Sequence, residues 1–327
     1  MIQGKTNSFR RFGFLFALSI AAFALLAACG DNDDNGNGNG GNGSGGNGAA
    51  TTTATSDATQ EPSTGGGTIE IVYIPGWPDG VSASNLWKVL LEEQGYTVNL
   101  TGLDVAPAYT GIAGGDLDAY ISTWLPHTHE SYLSQFEDDL EVISSWYGPA
   151  GLFLTVPSYV DVDSLADLAD NADTFGSTIV GIEAGAGMMG ILANSVMPTY
   201  GLEDWNLLEG STPAMLAELE RAIAAEEPVV VTLWSPGWWY GEFDLKNLED
   251  PENAWGEPDE LSIVARAGFS EEFPEVAQWW SNWTMTDEQY APLETLITEM
   301  GDGNEEQAVL AWLENEDNRA LAESWLQ

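Results

Sequence analysis

One cysteine and two histidines are all that this chain offers of the residues that most often build disulfides and metal sites. The cysteine, Cys29, closes an N-terminal export signal. No second thiol is left for an intramolecular disulfide. The histidines, His127 and His129, stand two residues apart, but no defined third ligand emerges from so many acids, so no metal is expected. Basic residues are scarce as well. Eight Lys and Arg face 52 Asp and Glu, and three of the eight precede Cys29, where there is no acid. The chain after Cys29 therefore carries 52 acids against 5 bases, a net −47. Nucleic acid and anionic membrane surfaces are poor partners for such a surface. Disorder is one route to a high charge, but 44% hydrophobic residues and strong strand patterns oppose it. Adaptation to high salt fits better, because at molar ionic strength self-repulsion is screened within about 3 Å.

The N-terminus has a basic start (Lys5, Arg10, Arg11), an apolar run from Phe12 to Ala28, and then Leu26-Ala27-Ala28-Cys29. The run is short for a membrane span. Residues 1–28 read as a secretory signal and Cys29 as a lipidation site. Gly13 after the arginine pair leaves the export route open between Sec and twin-arginine. Residues 29–67 form an Asn/Gly- then Thr/Ser/Ala-rich linker without core-forming material. A flexible tether of that length spans roughly 30–37 Å. The folded body is expected at 68–327, with no solenoid-type repeat.

In that body, strands alternate with helices. Ile69–Ile74 reads as a strand, followed by a helix with Leu86, Val89 and Leu90 on one face that Gly95 stops. Further strands are expected at Tyr96–Leu103 and Leu117–Ser122. Gly151–Tyr159 is apolar and β-prone, a candidate crossover between lobes, and Val162–Ala172 a short helix capped by Asp163 or Ser164. Thr178–Glu183 feeds a Gly-rich turn, Ala184-Gly-Ala-Gly187-Met188, and a helix start, a geometry suited to anions. Ser211-Thr212-Pro213 opens a helix with Met215, Leu216, Leu219 and Ile223 inward. After Pro251 the pattern turns mostly helical, with Thr286 and Gln289 as a capping box. Such alternation predicts an α/β fold of two lobes, each a mainly parallel sheet flanked by helices.

Three strands end alike. Ile74-Pro-Gly-Trp77-Pro78, Ser122-Thr-Trp124-Leu-Pro126 and Thr232-Leu-Trp234-Ser-Pro236 each place an indole at a strand end beside a proline turn. Ligands of open α/β sheets bind at the carboxyl ends of strands. A box of indoles suits a quaternary ammonium, which has no N–H and is held by π-faces and dispersion, about 2 kcal/mol or more per desolvated contact. A histidine and a helix start suit a carboxylate. Together they describe a site for a small zwitterion. Trp87, Trp146, Trp205, Trp312 and Trp325 are read as core.

These motifs, with Gly181-Ile-Glu-Ala-Gly-Ala-Gly187-Met188 and Tyr240 through Pro251, resemble the substrate-binding lipoproteins of glycine betaine/proline betaine ABC transporters, over nearly all of Thr68–Leu326. The resemblance implies a periplasmic-binding-protein-like fold with the ligand between the lobes. Lobe 1 would take about 68–155 plus 255–327 and lobe 2 about 156–254. It implies that Trp77, Trp124 and Trp234 cage the trimethylammonium, while His129 and the N–H groups of Gly187 and Met188 hold the carboxylate. It also implies a monomer, without cofactor or enzymatic activity, tethered by lipid outside the cell membrane and delivering its solute to permease subunits. Relatives often read Trp-x-Pro-His-Trp at the third indole strand, where this chain has Gly237. A choline or carnitine binder is the alternative within the class. A secreted carbohydrate-active enzyme with Trp platforms is the alternative outside it, and would need a carboxylate pair.

The charge generates a test. The melting temperature should rise steeply from dilute buffer to molar KCl, while the affinity for a net-neutral ligand changes little. A melting temperature flat across that range would count against salt adaptation.

Overall fold

The computed structural model describes residues 66–327. The export signal, Cys29 and the linker up to residue 65 lie outside the described residues. Nine strands run in chain order: β1 (Thr68–Tyr73), β2 (Thr97–Gly102), β3 (Ala119–Leu125), β4 (Leu140–Pro157), β5 (Thr178–Val180), β6 (Asn206–Leu208), β7 (Val231–Ser235), β8 (Leu245–Asn247) and β9 (Asp259–Arg266). Their order is β2-β1-β3-β9-β4-β7-β5-β6, with β8 also on β4.

The pairing explains the two-lobed α/β shape. β1 lies parallel between β2 and β3, and β5 lies parallel to β6 and β7. These are the expected parallel units. The strands between them, β9 and β4, run antiparallel to their neighbours, so each sheet is mixed. β4 belongs to both sheets. Its first part pairs with β9 up to Ala150↔Asp259, and from Gly151↔Ser235 onward it pairs with β7. Register shifts at Val142/Ser144, Ser145/Tyr147 and Tyr147/Ala150 bend it on the way, as bulges do. Of Gly151–Tyr159, read as a crossover, Gly151–Pro157 forms the later part of this strand and the last two residues turn away.

Local signals account for most helices. Pro78 opens the helix Pro78–Glu93, where a missing N–H costs nothing, and Leu86, Val89 and Leu90 are buried against the sheet. Gly95 follows at φ +90°, a conformation that side chains oppose. Ser211 accepts the Ala214 N–H at the start of Thr212–Ala225, whose Met215 and Leu219 are buried. The capping box forms, with Gln289 Oε1 2.9 Å from the Thr286 N–H.

Two expectations fail. Val162–Ala172 is no single helix but two 3-10 turns, Leu165–Asp167 and Ala169–Asn171. The Leu165 N–H donates to Glu249 O, and Ser164 bridges Glu249, so the segment's start is held by a distant stretch of the same chain instead of its own next turn. The chain after Pro251 is not helical throughout, since Asp259–Arg266 forms β9 at the centre of the fold. Leu261, Ile263, Val264 and Ala265 are all fully buried, as in a strand covered on both faces.

The tryptophans expected in the core are there. Trp146 stacks on Trp283 with ring centroids 4.2 Å apart, and Trp87 meets Trp283 edge-on at 5.6 Å and Trp325 at 6.3 Å. This knot fastens the C-terminal helices to the first sheet. Replacing Trp283 by Ala should cost about 3–5 kcal/mol, read as a lowered denaturation midpoint. A loss under about 1 kcal/mol would show that the knot adapts around the gap.

Candidate functional site

The three strand-end indoles converge. Trp77, Trp124 and Trp234 line one small cavity, together with His129 and Met188. Thr128, Leu152, Ile182 and Ala186 complete the lining. Trp77 follows β1, Trp124 lies near the end of β3, and Trp234 near the end of β7, so both sheets contribute walls. Trp77 and Trp234 have ring centroids 6.1 Å apart at 59°, and His129 stacks on Trp77 at 5.9 Å. Gly187 is not among the lining residues but abuts them. A Cβ there would sit 2.0 Å from Thr128 O, so only glycine allows the two loops to meet. Among the described residues neither the Gly187 nor the Met188 N–H donates a backbone hydrogen bond.

His129 has a defined tautomer. Its Nδ1 accepts the Trp124 N–H at 3.1 Å, which leaves the proton on Nε2. That Nε2–H is buried and has no acceptor among the described residues. Burial lowers the His129 pKa to about 3, so the ring is a neutral donor at ordinary pH. His127, two residues earlier, is exposed and lies outside the cavity.

Several site residues gave no sequence signal. Asp259, at the start of β9, accepts the N–H groups of His127 at 2.7 Å and Thr128 at 3.0 Å, and also the Thr128 hydroxyl. It shapes the loop that carries His129. Asp79 is fully buried, accepts from Ser122 Oγ, and takes the indole N–H groups of Trp124 at 3.2 Å and Trp234 at 3.3 Å. Glu183 takes the Trp77 N–H at 3.1 Å. Trp239 packs edge-on behind Trp234 at 4.7 Å, and its N–H donates to Trp234 O. It also explains Gly237, because a Cβ there would come within 2.2 Å of the Trp239 ring.

An apolar, indole-walled cavity between two joined sheets, with one neutral donor in its wall, defines a solute-binding protein of the two-lobed α/β class. Over residues 67–315 the chain belongs to the family described as OpuAC, the substrate binding domain of ABC-type glycine betaine transport systems. It is 35% identical over 153 residues to the glycine betaine/carnitine transport binding protein GbuC of Listeria monocytogenes, a stretch covering 46% of this chain and 50% of that one. The chain thus spans about half the length of that relative. Lactococcal OpuAC, solved closed with glycine betaine, matches at TM-score 0.73 and 29% identity, covering 80% of this chain and 99% of that one. ProX of Borrelia burgdorferi, a glycine betaine/L-proline-binding protein, matches at TM-score 0.74 and 25% identity, covering 80% and 97%.

One buried acid near the site sets a pH dependence. Glu294 is almost fully buried, and burial first, then the Asp79 charge, raises its carboxyl from 4.5 to about 8. Between these values the folded protein keeps a proton that the unfolded chain has lost. Its stabilising contribution is therefore complete below pH 4.5 and is lost as pH rises through about 8. His129 contributes the same slope to wild type and to a Glu294 variant, so the difference between the two from about pH 6.5 to 9 reads Glu294. Wild type should lose about 1–2 kcal/mol more across that range than Glu294→Gln. Equal slopes in urea denaturation would sink this assignment.

Proposed function

We propose that this protein captures glycine betaine or a closely related zwitterionic quaternary amine outside the cell and delivers it to an ABC importer. The observation that carries the reading is one cavity walled by Trp77, Trp124 and Trp234 that also holds the unpartnered Nε2–H of His129. The indoles meet the trimethylammonium through their π-faces. His129 and the N–H groups of Gly187 and Met188 receive the carboxylate. A ligand of zero net charge is not repelled by an acidic protein. The lobes we assign are about 68–155 plus 255–327 and about 156–254, hinged where β4 passes between sheets. Cys29 carries the lipid, the linker holds the monomeric body off the membrane, and permease subunits receive the loaded form. The acidic surface belongs to a salt-adapted cell, for which a compatible solute serves osmoprotection.

Choline has no carboxylate, and its one hydroxyl oxygen is too little for His129 and the Gly187 and Met188 N–H groups together, which favours a carboxylate ligand over it. The residues lining the cavity include no carboxylate, whereas glycoside hydrolysis needs two flanking the bond. Binding is the better fit.

Titration calorimetry with glycine betaine, carnitine and choline tests the reading. Trp77→Ala, Trp124→Ala and Trp234→Ala should each weaken glycine betaine binding by roughly 2–3 kcal/mol with circular dichroism unchanged. His129→Ala should weaken it by roughly 10- to 150-fold, the worth of a hydrogen bond to a charged group, and leave any choline binding as it was. Wild-type-like titrations for two of the three indole variants would end the cage assignment. Equal losses for betaine and choline in His129→Ala would show that the histidine only shapes its loop.

A further inference from the structure

The indole N–H groups of this protein meet different partners, and those of Trp146 and Trp239 donate to backbone carbonyls. Those of Trp87, Trp255, Trp280, Trp283 and Trp312 are buried without a hydrogen-bond acceptor among the described residues. The three around the cavity differ, because every one donates to a carboxylate. Trp124 and Trp234 share the two oxygens of Asp79, and Trp77 reaches Glu183 Oε2. Neither carboxylate lines the cavity; both stand behind the rings. Asp79 also accepts from Ser122 and its own backbone N–H, and Glu183 from the Thr212 N–H and hydroxyl, each at 2.9 Å.

Neither acid is paired with a base. The ion pairs of the described residues join Lys88, Arg221, Lys246, Arg266 and Arg319 to other acids, all away from this site. A buried carboxylate without a counter-charge is costly, several kcal/mol even after relaxation. Burial raises the Asp79 carboxyl above its ordinary value, and the donors on it, Ser122, Trp124, its own N–H and Trp234, pull back toward the ionised form. What is missing is a positive charge, and the cavity that the three indoles line offers a place for one. A ring whose N–H donates to an anion also gains electron density, which strengthens the negative face it offers a cation.

We infer that Asp79 and Glu183 determine specificity for positive charge: from behind the three indoles they fix the ring planes and supply the negative potential that the ligand's ammonium answers. This rests on the site reading given above and assigns the charge selection to two residues outside the cavity. Two of the bonds also cross between sheets in opposite directions. Trp77, after β1, reaches Glu183, after β5, while Trp234 of β7 reaches Asp79 in the helix after β1. The potential is therefore complete only when the two sheets are together.

The test uses two ligands of one shape. In 3,3-dimethylbutanoate a carbon replaces the nitrogen of glycine betaine, so the methyl groups and carboxylate remain and the positive charge is gone. The ratio of the two affinities, from competition titrations on the full protein, cancels everything common to both. Asp79→Asn keeps an acceptor oxygen without the charge and should lower the preference for betaine by roughly 5- to 50-fold. Glu183→Gln, on a half-buried side chain, should lower it by roughly threefold or more. Both variants losing affinity equally for the two ligands, with ratios within about twofold of wild type, would overturn the inference and leave these acids a merely structural role. If Asp79→Asn does not fold, Glu183→Gln decides alone, and an unmoved ratio overturns the proposal. Wild type that does not prefer betaine to its isostere would instead bring down the ligand reading itself, and this inference with it.

Discussion

The site depends on one constraint, the sharing of a single long strand by two sheets. β4 runs 18 residues, hydrogen-bonded first to β9 and then to β7. Because backbone pairing admits little stretch, the ends of β3 and β7 are held at a set separation wherever β4 bends. The change of partner falls at Ala150–Gly151, and Leu152 beside it lines the cavity. β9 completes the frame, because Asp259 at its start grips the backbone of His127 and Thr128. Position is thus passed from strand pairing to loop, and from loop to imidazole.

Electrostatics divides the molecule into two regimes. On the surface a large acidic excess meets only five bases after Cys29, and each of these is paired with an acid. Exposed pairs of this kind contribute little individually, so the excess is left to salt and water. Around the cavity burial acts instead. It keeps His129 neutral and Glu294 protonated over much of the ordinary pH range. The neutral imidazole offers a single donor, set by the Trp124 N–H on its other nitrogen. A charged histidine there would bring a desolvation cost that the neutral ring avoids.

Much of the fold was legible because its signals are local. Pro78, Ser211 and the Thr286–Gln289 pair mark helix starts by chemistry within one turn. The strand-end tryptophans announced themselves through their proline turns, and all three reached the cavity. β9 was missed because it returns to the centre of the sheet from a stretch dominated by helices, and its partners β3 and β4 lie more than a hundred residues back. The failed helix at Val162–Ala172 has the same origin, since Glu249, which captures the Leu165 N–H, is 84 residues away in sequence.

What the sequence determined by itself is the local grammar: an acidic α/β protein with three indoles at strand ends and a histidine beside one of them. Periodicity, caps and prolines specify those features over a few residues. Tertiary structure alone decided what stands behind the indoles. Asp79 lies 45 residues from Trp124 and 155 from Trp234, and Glu183 lies 106 from Trp77. Among 52 acids nothing in the linear pattern singles out these two. They become distinct only when packing removes water from them and leaves indole N–H groups among their few remaining partners.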